Sequence, residues 1–290
     1  MPSVSDELLE LCERMPAFPA SVQQVISLTS DINSSPKELV KVIDHDPVLT
    51  MKILKVANSA YFGLSRQIVS INHAVVYLGL NTVKHVALAI AAIGSLPKDN
   101  DAGFDMDDFL LHSLTTAVIT RSLARIMKVP EVDAANFFVA GLLHDIGQVV
   151  FAQFKPVEFK KALQQCRDHG VSLHEMEADF CGHDHSELGA VLCETWSFPE
   201  PLVSAIRMHH LPGTGRDATP VRKCLFVANL LAARVHQPTN APPCLDEDDL
   251  PPWVFRTFGN DFDSIIDSLS GLKTDLQQAT SLLQVGKGAL

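Results

Sequence analysis

FFVAGLLHDIGQVVF, residues 137–151, is the stretch that decides the fold of this 290-residue chain. Almost every position in it is apolar except the adjacent His144 and Asp145, which is typical of a helix buried on most of its sides. An ionised carboxylate in that setting costs several kcal/mol unless it is paired, hydrogen-bonded or coordinated. Asp145 therefore needs a strong partner, and a divalent metal ion is one such partner.

The rest of the chain has the periodicity of helices. Apolar residues recur at spacings of three and four, and no stretch shows sustained alternation with a period of two. Ser35-Pro36-Lys37-Glu38 predicts a helix start with a capping box, and Asp46-Pro47 predicts a second start, whose helix ends near Asn58. Further helices are predicted near residues 20–31, 72–79, 81–96, 106–127, 131–154, 156–169, 172–181, 185–197, 200–210, 220–236 and 261–284. The sequence therefore predicts an all-α protein.

Breaker residues divide the predicted helices into two packed helical subdomains. Proline, glycine and polar residues are concentrated between Pro97 and Gly103. We therefore expect an N-terminal helical subdomain over residues 1–100 and a helical bundle over residues 101–237. Residues 238–290 read as an acidic, proline-rich loop followed by a last amphipathic helix.

Composition excludes several classes of protein. Lys and Arg number 23 and Asp and Glu 34, so the net charge of −11 removes the electrostatic drive for broad nucleic-acid binding. The start of the chain lacks the pattern of a signal peptide, and the apolar stretches fall short of the roughly 18 residues of a membrane span. Six cysteines without a C-x-x-C pair are expected to be reduced, mostly buried thiols. We expect a cytoplasmic protein without a membrane segment.

Five histidines fall on predicted helices of the second subdomain or at their edges, namely His112, His144, His185, His209 and His210. Ligands from facing helices can converge in the core of a bundle, which is how bundles build metal sites. Imidazole and carboxylate together suit a divalent transition metal such as Fe, Mn, Zn or Ni. The alternative is that each histidine donates a hydrogen bond to a carbonyl group, and His209-His210 would then be a helix C-cap.

The order of these residues resembles the HD superfamily of metal-dependent phosphohydrolases. Residues 10–235 resemble more specifically the HDOD family, the HD-related output domain of bacterial signalling proteins. The motifs that carry the resemblance are Met15–Pro19, Asp46–Thr50, Ala57–Gly63, Ala74–Gly79, Ala140–Gly147, His185–Ala190, Trp196–Pro199 and His209-His210.

The resemblance implies a helical signalling module whose second subdomain is an HD-type bundle, in a family mostly without demonstrated catalysis. It also implies a set of metal ligands, in which Asn229 stands where catalytic relatives carry an Asp. The implied ligands are His112, His144, Asp145, His185, His209, His210 and Asn229.

The N-terminal motifs have two interpretations. Asp46-Pro47 is a helix start and Gly63 and Gly79 are natural helix stops, so chain geometry alone can explain these motifs. Alternatively, polar and aromatic side chains form a recognition surface, since such a mixture is typical of protein contacts. The residues of that candidate surface are Asn58, Ser59, Tyr61 and Phe62.

Three departures argue against the chemistry of the catalytic relatives. Asn229 is neutral, so the charge that faces an ion falls from two carboxylates to one. Gln148 stands where the related HD-GYP phosphodiesterases carry a Lys, and the Gly-Tyr-Pro signature is absent after His209-His210. Hydrolysis of cyclic di-GMP is therefore disfavoured twice.

Two functions follow as hypotheses. The first is a noncatalytic or weakly catalytic regulatory module that retains a metal site and binds a signalling protein or a small-molecule or nucleotide ligand. The second is a metal-dependent phosphohydrolase for a nucleotide or phosphodiester, with Asp145 as the candidate catalytic residue and water activated by the ion. A homodimer is compatible with either hypothesis.

Overall fold

The fold is all-α, as predicted. The computed structural model describes residues 6–16, 18–30, 35–58, 67–97, 99–213, 218–236, 250–269, 271–272 and 276, and no strand occurs among them. Its helices are α1 (Asp6–Glu13), α2 (Ala20–Ser30), α3 (Pro36–Asp44), α4 (Pro47–Ala57), α5 (Ile71–Leu78), α6 (Leu80–Gly94), α7 (Met106–Ile126), α8 (Glu131–Leu143), α9 (Ile146–Phe154), α10 (Pro156–His169), α11 (Leu173–Cys181), α12 (His185–Thr195), α13 (Glu200–Arg207), α14 (Pro220–His236), α15 (Pro252–Phe258) and α16 (Phe262–Ser268).

The two predicted start signals form as expected. The Ser35 hydroxyl accepts from the backbone N–H of Glu38, whose carboxylate accepts in turn from the backbone N–H of Ser35. The Asp46 carboxylate accepts from the N–H groups of Val48 and Leu49 at 3.1 and 3.0 Å. Each cap satisfies donors that a helix N-terminus otherwise leaves without a partner.

The helices pack into two groups that share one continuous apolar core. In the first group α6 lies against α2, α4 and α5, and in the second α7 packs against α8 and α14 while α12 packs against α9 and α13. Contacts of α6 with α8, and of α1 with α12, connect the groups. The boundary between subdomains near residue 100 stays a prediction.

The expectation of a single helix over residues 131–154 is wrong. Helix α8 ends at Leu143 and α9 begins at Ile146, with His144 and Asp145 in a turn between them. Asp145 has φ −99° and ψ 9°, which is the sparsely populated bridge region rather than a helical conformation. The continuous apolar pattern indicated burial correctly, but it carries no information on where a buried segment changes direction.

Two glycines allow close backbone contacts on either side of this turn. A Cβ on Gly141 would lie 2.5 Å from Ala117 Cα of α7, and a Cβ on Gly147 would lie 2.2 Å from the carbonyl oxygen of His185. Real side chains do not tolerate such distances. Glycine at both positions therefore lets α8 touch α7 and lets α9 touch α12.

The terminal helices and the longest apolar stretch also differ from expectation. Helices α1 and α15 were not predicted, and the last predicted helix, 261–284, is confirmed only for Phe262–Ser268, with Leu269 as its C-cap. Most of the remainder of that segment lies outside the described residues.

Residues 136–154 are, by length and composition alone, long and apolar enough to cross a membrane, but 89% of that stretch is buried inside the fold, as is typical of a core segment.

The expectation for the cysteines is confirmed for the described residues. Cys12, Cys166, Cys181, Cys193 and Cys224 are buried free thiols. Cys244 lies outside the described residues.

Candidate metal centre

The structure brings the predicted ligands together from separate elements. His112 lies in α7, His144 and Asp145 in the turn before α9, and His185 at the first position of α12. His209 and His210 lie in the turn after α13, which ends at Arg207 rather than at residue 210 as predicted. Their ligand atoms form two groups, each within 4.8 Å. The four-residue site contains Asp145, His185, His209 and His210, and the three-residue site contains His112, His144 and Asp145.

Asp145 is common to both groups and lies at their centre. Its Oδ1 is 3.1 Å from Nε2 of His144, 3.2 Å from Nε2 of His185 and 3.3 Å from Nε2 of His209. Its Oδ2 is 3.6 Å from Nε2 of His112. Four imidazole rings thus direct the same nitrogen, Nε2, at one carboxylate.

The other ring nitrogen of three histidines already has a partner. Nδ1 of His144 and Nδ1 of His209 lie 2.8 and 2.6 Å from backbone carbonyl oxygens, and Nδ1 of His185 contacts the Glu177 carboxylate. A carbonyl oxygen only accepts, so Nδ1 of His144 and of His209 donates. In the neutral form of each ring, Nε2 is then the nitrogen that can bind an ion, whereas in the protonated form it donates to Asp145.

This arrangement fits a divalent ion. Asp145 Oδ1 and His144 Nε2 are buried and have no hydrogen-bond partner among the described residues. Nε2 of His185 lies 2.8 Å from Nε2 of His210 and 3.4 Å from Nε2 of His209. Ligands about 2.1 Å from a metal at angles of 90° to 109° are about 3.0–3.4 Å apart. The separations of 3.2 to 3.4 Å among Asp145, His185 and His209 fall in this range, and the 2.8 Å between His185 and His210 is slightly shorter. A cation among these atoms would satisfy the buried groups that have no hydrogen-bond partner.

Burial and charge act against each other on the cluster. Burial alone raises the pKa of Asp145, but His144, His185 and His209 outweigh it and hold that pKa well below its usual value. Burial lowers the pKa of His209 to about 4. Burial also lowers the pKa of His185, but Glu177 and Asp145 outweigh it and raise that pKa well above the ordinary value. The two carboxylates therefore favour a positive charge at His185, and an ion bound at Nε2 would take the place of that proton.

Asn229, at the position implied for a seventh ligand, contacts only one side of the cluster. Its Oδ1 lies 3.0 Å from Nε2 of His112. While His112 donates this hydrogen bond, its Nε2 has no lone pair for an ion. The three-residue site is thus left with His144 and Asp145. In the four-residue site such contacts of Nε2 join ligands to one another, as between His185 and His210, and an ion bound by both would replace the proton between them.

Two residues near the four-residue site were missed as functional candidates. Glu177 is fully buried in α11, and its Oε2 accepts from both the backbone N–H and Nδ1 of His185. His174 stacks on His210 with ring centroids 4.1 Å apart. Glu177 gave no signal, because one Glu in an amphipathic helix looks like a solvent-facing residue.

The candidate recognition surface is described only at Asn58. The Asn58 amide donates to the carbonyl oxygens of Leu54 and Ile68 at 2.9 and 2.6 Å, and its oxygen accepts from the Ile68 N–H at 2.6 Å. These bonds connect the two ends of the segment that follows α4, which is a structural role. Ser59, Tyr61 and Phe62 lie outside the described residues.

Solved structures share this fold over nearly the whole chain. A proposed phosphohydrolase from Shewanella amazonensis SB2B is 24% identical with a TM-score of 0.72, covering 96% of this chain and 98% of its own. An HDOD domain protein of unknown function from Geobacter sulfurreducens is 23% identical with a TM-score of 0.68, covering 95% and 97%. A proposed signal transduction protein from Marinobacter aquaeolei VT8 is 21% identical with a TM-score of 0.67, covering 97% and 65%. At these identities the likeness establishes the fold.

Sequence comparisons assign the family. An uncharacterized protein of Treponema pallidum (strain Nichols) is 24% identical over 229 residues, which are 79% of this chain. The chain spans 43% of the length of that relative. The HDOD domain family matches residues 15–212, more than half of the chain. The chain therefore belongs to the HDOD family.

Proposed function

We propose that this protein is a regulatory module that holds one divalent ion in its four-residue site and has little or no hydrolytic activity. The observation that carries the proposal is the 3.0 Å contact between His112 Nε2 and Asn229 Oδ1. It occupies a ligand atom that a second ion needs, and it puts a neutral amide where catalytic relatives carry a carboxylate. One ion, held by Asp145, His185, His209 and His210, remains.

Burial of the site supports a regulatory role. His112, His144, Asp145, His185 and His209 are each at most 7% exposed. Among the six His and Asp ligands only His210 is partly exposed, and His174 stacks on its ring. A phosphodiester must reach the ion directly to be hydrolysed, and this packing leaves little surface for that approach.

The charges near the site support the same proposal. A bound ion would lower the pKa of water and polarise a phosphoryl oxygen, but phosphodiester hydrolysis also needs cations for the charge that develops on the phosphate. Gln148, in the first turn of α9, is neutral where the related phosphodiesterases have a Lys. The site thus has a set of metal ligands but lacks the cationic side chain that the related phosphodiesterases have near the phosphate.

We propose that the two helical groups present their surfaces to a signalling protein or to a small-molecule or nucleotide ligand. The family supports this assignment, since HDOD names an output domain of bacterial signalling. A cytoplasmic location and a homodimer fit the same proposal.

A metal-dependent phosphohydrolase is the second candidate. It is favoured by the convergence of all six predicted His and Asp ligands around Asp145. A module without chemistry has no need to keep the ligands of both ion positions.

Metal analysis combined with a hydrolysis assay separates the two candidates. The protein is purified under metal-replete conditions and its Fe, Mn, Zn and Ni contents are measured, and cleavage of bis-p-nitrophenyl phosphate and of nucleotides is assayed beside Asp145→Ala. We expect one equivalent of metal and no cleavage that depends on Asp145. Cleavage abolished in a folded Asp145→Ala protein overturns the regulatory proposal, and less than a tenth of an equivalent of metal overturns the ion site.

A further inference from the structure

Glu177 is a buried carboxylate with no role in the ligand set. It lies in α11, eight residues before His185, and its side chain is fully buried. Its Oε1 has no hydrogen-bond partner among the described residues. A buried carboxylate with one unpaired oxygen lowers the stability of the fold, which suggests that Glu177 has a function.

The other oxygen of Glu177 holds His185 by two groups at once. Oε2 accepts from the backbone N–H of His185 at 2.8 Å and contacts Nδ1 of the same residue. The backbone group can only donate, so Oε2 is an acceptor and Nδ1 donates to it as well. This contact fixes both the start of α12 and the orientation of the imidazole ring.

The orientation of the ring determines where Nε2 of His185 points. With the Nδ1 proton directed at Glu177, Nε2 is the atom of His185 that can bind an ion, and it faces Asp145 Oδ1, 3.2 Å away, and His210 Nε2, 2.8 Å away. A carboxylate that accepts from the remote nitrogen of a ligand histidine fixes the tautomer and makes the coordinating nitrogen more basic. His144 and His209 have only neutral carbonyl oxygens in that position, so His185 is distinguished among the ligands.

We propose that Glu177 is the positioning residue of the ion site and acts on a bound divalent ion through His185. It also supplies a second buried carboxylate, on the other side of the His185 ring from Asp145, so that one dication and two carboxylates make a neutral centre. The assignment rests on the proposed function, because it requires that the four-residue site takes an ion.

The chain offers a matched control outside the site. His183 Nδ1 lies 2.9 Å from Glu187 Oε2, a contact of the same two residue types. Glu187 lies in α12, as His185 does, but is exposed enough to be 42% accessible at its side chain. Neither residue belongs to the ligand groups.

The test measures the affinity of the full chain for Co²⁺ by visible absorption and competition with a chelator. The variants are Glu177→Gln, which keeps the shape and one acceptor oxygen, Glu177→Leu, which removes both oxygens, and the control Glu187→Gln. Circular dichroism and urea unfolding of the metal-free proteins report the fold. Because Glu177→Leu leaves the N–H of His185 without a partner, Glu177→Gln keeps the test valid if the Leu variant is unfolded.

We expect Glu177→Gln to weaken Co²⁺ binding about 10-fold and Glu177→Leu up to about 100-fold, with a shifted absorption band and no change for Glu187→Gln. Wild-type affinity in a folded Glu177→Gln protein, with only its unfolding free energy lowered, assigns Glu177 a structural role and overturns the inference alone. A wild-type protein that binds no Co²⁺ overturns the proposed function and this inference together.

Discussion

Gly147 lies against the backbone of His185 so closely that a Cβ on the glycine would be 2.2 Å from the His185 carbonyl oxygen. Gly147 belongs to α9, and His185 is the first residue of α12 and itself one of the ligands. Their contact sets the distance between Asp145 and His185, because Asp145 is two residues before Gly147. The ion site is therefore built on a helix contact that only glycine allows.

Replacing Gly147 by alanine should separate α9 from α12. We expect Gly147→Ala to lower the free energy of unfolding by about 3 kcal/mol and to weaken metal binding, because His185 moves away from Asp145. Urea unfolding and metal titration measure the two effects. Gly94→Ala is the control, since the nearest atom to its new Cβ is Lys52 Nζ at 3.8 Å, and it should not destabilise. Equal stability of the two variants would contradict the prediction.

Restoring a carboxylate at Asn229 should open the second ion position. Asn229→Asp places a negative charge beside His112, whose Nε2 is 3.0 Å from the present amide oxygen. We expect the bound Mn²⁺ to rise from one equivalent to two, because carboxylate oxygens suit this ion. Equilibrium dialysis measures the stoichiometry. Asn136→Asp is the control, because Asn136 Oδ1 lies 2.6 Å from Nδ1 of His85 and neither residue belongs to the ligand groups. One equivalent of Mn²⁺ in both variants would refute the idea.

Removal of the ion should destabilise the protein. At about 100 times the Kd, a metal that binds only the folded state adds about 2.7 kcal/mol of stability, which raises the Tm of a chain of this size by roughly 5–10 °C. We expect a chelator to reverse this shift. Calorimetry with and without Zn²⁺ tests the effect, with Asp145→Asn as the variant that should show no shift. A Tm independent of metal in the wild-type protein would count against an ion site.

His85 should make the stability depend on pH away from the cluster. Burial lowers its pKa to about 4 from 6.5, partly offset by the hydrogen bond to Asn136. Between these values the unfolded chain binds more protons than the folded one, so stability is fully present above pH 6.5 and is lost as the pH falls toward 4. From pH 7.5 to pH 5 this group costs about 2 kcal/mol.

The measurement compares the wild-type protein with His85→Leu by urea unfolding at both pH values. The leucine variant loses its hydrogen bond at every pH, so its stability is lower throughout, but its pH dependence should be smaller by about 2 kcal/mol. The same pH dependence in both proteins would show that His85 titrates normally in the fold.

The sequence predicted local starts better than changes of direction. The caps at Ser35 and Asp46 depend on neighbouring residues, and both form as expected. The break at His144 and Asp145 depends on Gly141 and Gly147 meeting α7 and α12, which are distant in sequence. A periodic apolar pattern continues through such a break, because both sides are buried.

The ligand set was predictable where residue type restricts chemistry. Asp145 in an apolar segment demanded a partner, and the histidines were the available ones. Glu177 was not predictable, because a glutamate eight residues before a histidine has no characteristic pattern and its burial depends on how α11 packs. The hydrogen bond between His112 and Asn229 joins residues 117 positions apart. Only the fold therefore shows that the amide, which stands where catalytic relatives carry a carboxylate, occupies the ligand atom of His112.

The glycine contacts on the two sides of Asp145 have a consequence for selectivity among ions. Gly141 fixes the chain to α7 four residues before Asp145, and Gly147 fixes it to α12 two residues after. The backbone is thereby held on both sides of Asp145, which leaves its carboxylate little freedom to move toward an ion of another radius. A small cation with bonds near 2.1 Å suits such a rigid frame, whereas Ca²⁺, which prefers 2.3–2.6 Å and more oxygen atoms, should be rejected on size.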